Sequence, residues 1–372
     1  MRAALDDAAP AVAAPLGCDV AVVGGGLAGL STALHLKILA PHLDVVLLEA
    51  GRIGYGQSGL NSGQAAPRIG PAIEAQVAAL GRAAAIAAHA YSVQAIEFAA
   101  ALVNRHHIDC DLEATSQWEV SLTDRDAAKL ERRSSLYRAL GFDVPLVDSS
   151  AVRSALPSST RIRNAIAFPA YRLNPGRLCV GLKRVAQQAG VRVFEHSRAE
   201  LSPVLAVAGF DVRADRVVLA VDGGIAALKL SRSTVFPVSA FAAVTRPLRP
   251  EERAAIGWAE GQGLYDARPL FNFLRPLADG RLLIGGNYHY AHSGRISGKD
   301  VTRSASRLMT QLENFFPALK GLAAERAWGG VLGCTLNEWP VVAPLDDARC
   351  WWHLGGWNGH GVALAIAGGH EL

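Results

Sequence analysis

Residues 19–23 form a short apolar run, the pattern of a buried parallel strand. A glycine cluster follows. Residues 27–39 then place Leu30, Leu34 and Ile38 on one helical face, and Pro41 closes that helix. Residues 45–48 are a second apolar run, so the segment predicts a βαβ unit. Residues 51–70 lose all hydrophobic period and are rich in Gly, Ser, Asn and Gln. They predict a long loop, and such a loop inside a compact domain is usually functional.

Further along, the pattern predicts a helical region over 73–104, a strand over 112–122, and a helix over 124–140 capped by Thr123 or Asp124 and closed by Gly141. A helix over 177–188 ends at Gly190. Strands are expected at 191–194, 216–220, 236–245 and 280–286, and a helix over 308–316 stops at Pro317. No repeat is visible. The order is β-α-β followed by mixed elements. It predicts a dinucleotide domain interrupted by a strand-rich second domain, with the chain returning to the first domain near its end.

A length of 372 residues suffices for two domains. The net charge of +4 is scattered, with no Lys/Arg block, which argues against nucleic acid and anionic membranes as partners. Cys18, Cys110, Cys179, Cys334 and Cys350 are widely spaced without a C-x-x-C. That spacing argues against a disulfide framework or a zinc site and favours a reducing cytoplasm. The Ala-rich first 17 residues are interrupted by Asp6, Asp7, Pro10 and Pro15, so a frayed leader is expected rather than a signal peptide. Residues 83–103 are the most apolar long stretch but carry His89, Gln94 and Glu97. They read as a core helix rather than a membrane span, which needs about 20 mainly apolar residues. The run from His106 and His107 to Asp109 and Cys110 is metal-like in composition only, and no metal is expected.

Gly24-Gly25-Gly26-Leu27-Ala28-Gly29 fits G-x-G-x-x-G between a strand and a helix. Glu49 and Ala50 end the next strand, where an acid binds ribose hydroxyls. Gly24 permits the tight turn, Gly26 lets the backbone approach a pyrophosphate, and Gly29 lets helix pack on strand. The helix start offers free N–H groups to the phosphates. The acid argues against NADP and leaves NAD and FAD open.

The following loop, Gly54-Tyr55-Gly56-Gln57-Ser58-Gly59-Leu60-Asn61-Ser62-Gly63-Gln64, resembles the second flavin contact of the D-amino-acid oxidase and glycine oxidase superfamily. It most resembles the branch of gamma-glutamylputrescine oxidase-like proteins, with Leu60 in place of the usual Arg. The likeness continues through Leu173-Asn174-Pro175, the 216–220 strand and the 236–247 stretch. It runs on through a hairpin over 274–286, then Trp328-Gly329-Gly330 leading into Thr335 and Pro340. It ends in Gly355-Gly356-Trp357-Asn358-Gly359-His360-Gly361, which resembles the family's G-x-x-G-H-G motif against the flavin ring.

The resemblance implies an α/β protein with a Rossmann-like FAD-binding domain and a second α+β substrate domain built on a mostly antiparallel sheet. The FAD-binding domain would comprise residues 18–105, 150–230 and 326–372, and the substrate domain 106–149 and 231–325. FAD would be held by Gly24, Gly26, Leu27, Ala28, Gly29, Glu49 and Ala50, by Ser58, Asn61, Ser62, Gly63 and Gln64, and by Gly356, Gly359, His360 and Gly361. The helix opening after His360 would stabilise the charge of reduced flavin. Related covalent flavoproteins attach the ring through a cysteine after the W-G-G region. That position falls at Gly330 here, with Cys334 nearby, so noncovalent FAD is expected.

The implied reaction is oxidation of the C–N bond of an amine or amino acid to an imine, by hydride transfer to flavin N5. Oxygen or another acceptor would reoxidise the flavin. No catalytic side chain is assigned. Arg275 is the candidate substrate anchor, pairing with a carboxylate, or else a structural ion pair. Tyr288, His289, Tyr290 and His292 line a pocket or, with better support, form an aromatic edge strand. One alternative is a flavin monooxygenase using NAD(P)H, which Val221-Asp222-Gly223-Gly224 faintly resembles. A second is a truncated, non-catalytic paralogue, motivated by Leu60 and by a short final helix interrupted by Gly368-Gly369.

Overall fold

The computed structural model describes residues 8–201, 205–228, 234–291, 296–346 and 350–372. His292 lies outside them. The chain begins β1 (Leu16–Val23), α1 (Leu27–Leu39), β2 (Val45–Leu48), α2 (Gln57–Leu60), β3 (Gln64–Ala65) and α3 (Ile73–Arg105). It continues β4 (Glu113–Val120), α4 (Asp124–Ala139), β5 (Leu146–Val147), α5 (Ser149–Ala155), β6 (Ala165–Arg172) and α6 (Pro175–Gln188). Next come β7 (Arg192–Phe194), β8 (Ala199–Leu201), β9 (Leu205–Val207), β10 (Phe210–Leu219), β11 (Phe236–Thr245) and α7 (Pro250–Ile256). The last are β12 (Gly263–Asp266), β13 (Phe273–Pro276), β14 (Leu282–Tyr290), α8 (Gly298–Phe315), β15 (Ala324–Cys334), β16 (Val341–Asp346), β17 (Trp351–Gly355) and α9 (Gly361–Glu371).

The first sheet has the order β16-β17-β10-β1-β2-β7, with the β8–β9 hairpin attached to β10. β1 pairs in parallel with both β2 and β10, which is why its residues are apolar without alternation. Val20 and Val22 pack under α1, α6 and α9, while Ala21 and Val23 pack on the opposite face with Val217 and Leu219. This is the expected Rossmann-like layer.

The second sheet runs β15-β11-β14-β13-β12-β4-β6-β3, antiparallel except where β12 meets β4. Its core is closed by Leu308, Leu312 and Phe315 of α8. α8 begins ten residues before its apolar stretch because Ser297 and Asp300 form a reciprocal capping box. β6, inside the segment 150–230, joins this second sheet by pairing along its whole length with β4, from Glu113↔Arg172 to Val120↔Ala165. β3 and β15 join it too, so the two domains exchange strands at the boundary where the site lies.

α3 is long and apolar enough to cross a membrane by length and composition. Gly81 breaks it (φ 82°, ψ 167°), and its second part buries Ala95, Ile96, Ala99, Leu102 and Val103 in the core of the first domain. α9 runs through Gly368 and Gly369 without interruption. A Cβ at Gly369 would stand 2.6 Å from the Ala28 carbonyl oxygen and 2.8 Å from Ser31 Cβ, so the missing side chain is what seats α9 on α1. The Ser31 hydroxyl donates to the Ile366 carbonyl across 2.6 Å.

Candidate cofactor and substrate site

The turn between β1 and α1 is held from two sides. Gly24 takes φ +109° beside Ala220 of the next strand, where a Cβ would lie 2.5 Å from the Ala220 oxygen. Glu49, after β2, accepts from Gly25 N–H (2.8 Å) with one carboxylate oxygen and from Gly51 N–H (2.7 Å) with the other. At the start of α1, Leu27 N–H donates to Ser58 Oγ across 2.9 Å. The next amides, of Ala28 and Gly29, lie in the first turn, where N–H groups have no helical carbonyl partner.

The loop of residues 57–64 is clamped between the two sheets. Asn61 donates to the carbonyls of Gln57 (3.1 Å) and Ser58 (2.8 Å), and its own oxygen accepts from Gly63 N–H (2.8 Å). Trp328 Nε1–H donates to the Leu60 carbonyl (2.9 Å). Gln64 donates to the Leu274 carbonyl (3.3 Å), and Gln117 donates to Gln64 Oε1 (2.6 Å). Arg275 spans Gly63 O (3.0 Å) and Leu173 O (3.2 Å).

Over this loop one pocket opens. It is lined by Asn61, Ser62 and Gln64 of the loop and by Gly359, His360 and Ala363 of the α9 entrance. Gly330 and Leu332 of β15 and the aromatic residues Tyr265, Phe271 and Tyr288 also line it. The α9 entrance is set by Asp222, whose carboxylate accepts from Gly356 N–H (2.9 Å) and Gly333 N–H (2.7 Å). Burial raises the Asp222 pKa against the lowering effect of these amides. Asn358 completes the turn by accepting from Thr335 N–H (2.9 Å). His360 caps α9 and stacks on Phe271, ring centres 6.1 Å apart. Burial, with the charge of Arg68, holds its pKa well below the usual histidine range, so the ring is neutral at pH 7. Burial likewise raises the phenols of Tyr265 and Tyr288.

A family model described as FAD dependent oxidoreductase (DAO) matches residues 19–372. The chain belongs to this family. Over 364 residues it is 29% identical to gamma-glutamylputrescine oxidoreductase of Escherichia coli (strain K12), covering 95% of this chain and 82% of that protein. The structure of glycine oxidase from Geobacillus kaustophilus has the same fold, with TM-score 0.76 at 20% identity over 95% of this chain and 93% of its own. L-α-glycerophosphate oxidase from Mycoplasma pneumoniae, with FAD bound, matches at TM-score 0.72 and 14% identity over 96% of this chain and 95% of its own. The superfamily resemblance read from the motifs is borne out.

The residues present fit FAD. Each Glu49 oxygen takes one backbone N–H and keeps acceptor capacity for a ribose hydroxyl. A Cβ at Gly26 would stand 2.8 Å from Ser58 Oγ, so the space between the α1 turn and the loop admits no side chain. The structure brings Gly24, Gly26, Leu27, Ala28, Gly29, Glu49 and Ser58 together at one end, and Asn61, Ser62, Gln64, Gly359 and His360 at the pocket. Gly63, Gly356 and Gly361 support these from behind: Gly63 through its carbonyl, Gly356 through Asp222, and Gly361 against Trp357. Ala50 is exposed.

Arg275 is not among the residues lining the pocket, because its fork is turned onto backbone carbonyls. Arg68 lines it instead. β14 is no edge strand. It pairs with β11, and with β13 up to Gly285, beyond which Tyr288 faces the pocket. Tyr290 is 56% exposed. Among the described residues, no group of three or more His, Cys, Asp or Glu is placed to hold a metal.

Proposed function

We propose that this protein oxidises the C–N bond of an amine or amino acid to an imine, which water then hydrolyses. The observation that carries the reading is the single pocket joining the loop of residues 57–64 to the α9 entrance beneath an aromatic wall, in a chain similar to a named gamma-glutamylputrescine oxidoreductase. When bound, FAD would supply the two-electron acceptor for the hydride lost from the substrate carbon. The chain's own residues supply position and field. Among the described residues lining the pocket there is no Asp, Glu or Lys, and His360 is neutral. The Arg68 charge disfavours an ammonium beside it and favours the neutral amine, the form with a free lone pair.

Noncovalent attachment follows the same lines. Gly330 lines the pocket and offers no side chain. Burial, with the Asp222 carboxylate, pushes the Cys334 thiol up to about 12, far from a reactive thiolate.

The test is anaerobic bleaching of the FAD-loaded protein by a panel headed by gamma-glutamylated diamines and N-substituted amino acids. Bleaching by members of the panel is expected. A flavin that no amine reduces, but a reduced nicotinamide does, overturns the reading in favour of a monooxygenase. Acid release of the flavin from denatured protein checks the noncovalent attachment.

A further inference from the structure

We infer that residues 8–12 form a strap that positions Glu49, the acid expected to receive the ribose, and that docking of the strap is coupled to binding of the nucleotide half of FAD. These residues belong to the Ala-rich stretch for which composition predicts fraying, yet Ala9 and Val12 are 8% and 5% exposed. Ala9 joins the core on the α1 side of the parallel sheet and Val12 the core on the opposite side. The strap therefore crosses the edge of the sheet beside β7, the last strand in its order.

Two buried side chains just past β7 hold the strap. Glu195 accepts from Ala9 N–H with Oε2 (2.6 Å), and its own N–H donates to the Pro10 carbonyl (3.1 Å). Ser197 Oγ accepts from Val12 N–H (3.0 Å). The same two residues grip the segment that carries Glu49. Glu195 Oε1 accepts from Ile53 N–H (2.8 Å), and Ser197 N–H donates to the Glu49 carbonyl (2.8 Å). Ile53 abuts the glycine turn, since a Cβ at Gly25 would stand 2.7 Å from Ile53 Cγ1. Lys183 Nζ, also buried, pairs with Glu195 Oε2 at 3.0 Å. Burial opposes ionisation of Glu195, but the amides of Ile53 and Ala9 and the Lys183 ammonium hold its carboxyl below the usual carboxylate range. Hydrogen bonds to an ionised acceptor are the strong ones, so one carboxylate ties the strap to the loop after β2. Undocking the strap loosens Glu195 and Ser197, and through them Glu49. Linkage makes the effect reciprocal: a nucleotide that orders Glu49 also holds the strap down.

The test compares apoprotein with FAD-loaded protein. Ala9→Pro removes the N–H that Glu195 accepts, and Ser197→Ala removes the acceptor of Val12, and neither changes a charge. Each should weaken FAD about fivefold, and ADP, which carries only the nucleotide half, by the same factor. The absorption spectrum of the bound flavin should stay as it was, because both substitutions lie at the nucleotide end. In the unmodified protein, amide hydrogen exchange at Ala9 and Val12 should slow about fivefold when FAD or ADP binds. A strap that only stabilises the fold would lower the unfolding midpoint equally with and without FAD and leave both affinities unchanged, and that result overturns the inference. So does exchange at Ala9 and Val12 that neither ligand slows. A loss for FAD with none for ADP would put the effect at the flavin end and overturns it too. If Ala9→Pro fails to fold, Ser197→Ala decides. The amine-oxidation reading is tested separately, since none of these measurements involves an amine.

Discussion

Arg275 donates to the carbonyl oxygen of Gly63 across 3.0 Å, tying the second sheet to the loop beneath the pocket. Burial and the charge of Arg172 pull its pKa down to about 10, so it remains charged at neutral pH. Arg275→Met should strand the carbonyls of Gly63 and Leu173 and loosen the loop. The expected outcome is FAD binding weakened by about 1–3 kcal/mol, with no selective effect on carboxylate-bearing amines. Titration of the apoprotein with FAD measures the first, and steady-state comparison of paired amines the second. A selective rise in KM for carboxylate substrates would return Arg275 to the role of anchor.

Glu49→Ala removes the acceptor for Gly25 and Gly51 and the expected partner of the ribose. FAD affinity should fall by about 1–3 kcal/mol, while anaerobic reduction of saturated protein changes little. Unchanged affinity in the same titration would mean that the nucleotide lies elsewhere.

Two buried histidines set a pH limit on stability. Burial pulls His89 and His353 down to about 4. Both ring nitrogens of His353 lack a hydrogen-bond partner. A folded-state pKa below the unfolded value means that the unfolded chain binds the extra proton. The contribution is therefore complete above about pH 6.5 and is lost as pH falls toward 4. Each should cost about 2 kcal/mol between pH 7.5 and 5. Urea unfolding at the two pH values should show the drop, and His89→Phe should recover part of it. An identical drop in His89→Phe would remove His89 from the account.

At the contact of α9 with α1, Gly369→Ala should destabilise by about 1–3 kcal/mol through its clash with Ala28 and Ser31. Gly298→Ala, in the first turn of α8 with open space around it, is the control and should be neutral or slightly stabilising. Equal unfolding midpoints for the two variants would show that the interface relaxes.

With no acid or base side chain assigned at the pocket, the rate of anaerobic reduction at low amine should rise about tenfold per pH unit until the pKa of the amine itself. Stopped-flow profiles for two amines of different basicity should therefore be displaced from one another. Coincident profiles would point to a titrating protein group.

The parts that were legible in the sequence are those whose chemistry lies in contiguous residues. β2 and β11 match their apolar runs to the residue, and α1 its bounds, though α1 is buried all round from Leu27 to His35 and Ile38 of the expected face is exposed. The turn at Gly24 and the acid at Glu49 belong to one local unit. The pocket wall does not. Arg68 stands far earlier in the chain than Tyr265, Phe271 and Tyr288, which the neighbouring antiparallel pairs β12–β13 and β13–β14 bring together. Composition cannot tell Arg68 from Arg275, since which arginine faces the pocket depends on that pairing. Asp222 was visible as a D-G element. Its partners, Gly333 and Gly356, lie far downstream, so its role in shaping the α9 entrance was not. β6 is not read as a strand from the sequence; it pairs with β4 across the intervening helices α4 and α5.

The parallel placement of β1 between β2 and β10 also governs the order in which the protein can be made. The glycine turn leaves the ribosome early, yet its second supporting strand arrives only after β3, β4, β5 and β6 of the other sheet have been translated. Until then β1 presents an unpaired apolar flank, an invitation to aggregation that nascent chains answer with chaperones. The strand that follows β10, and the helix that shuts the pocket, arrive later still. Cofactor capture is thus a late event in biogenesis, and flavin starvation should show itself as insoluble newly made chain before it shows as lost turnover in protein already folded.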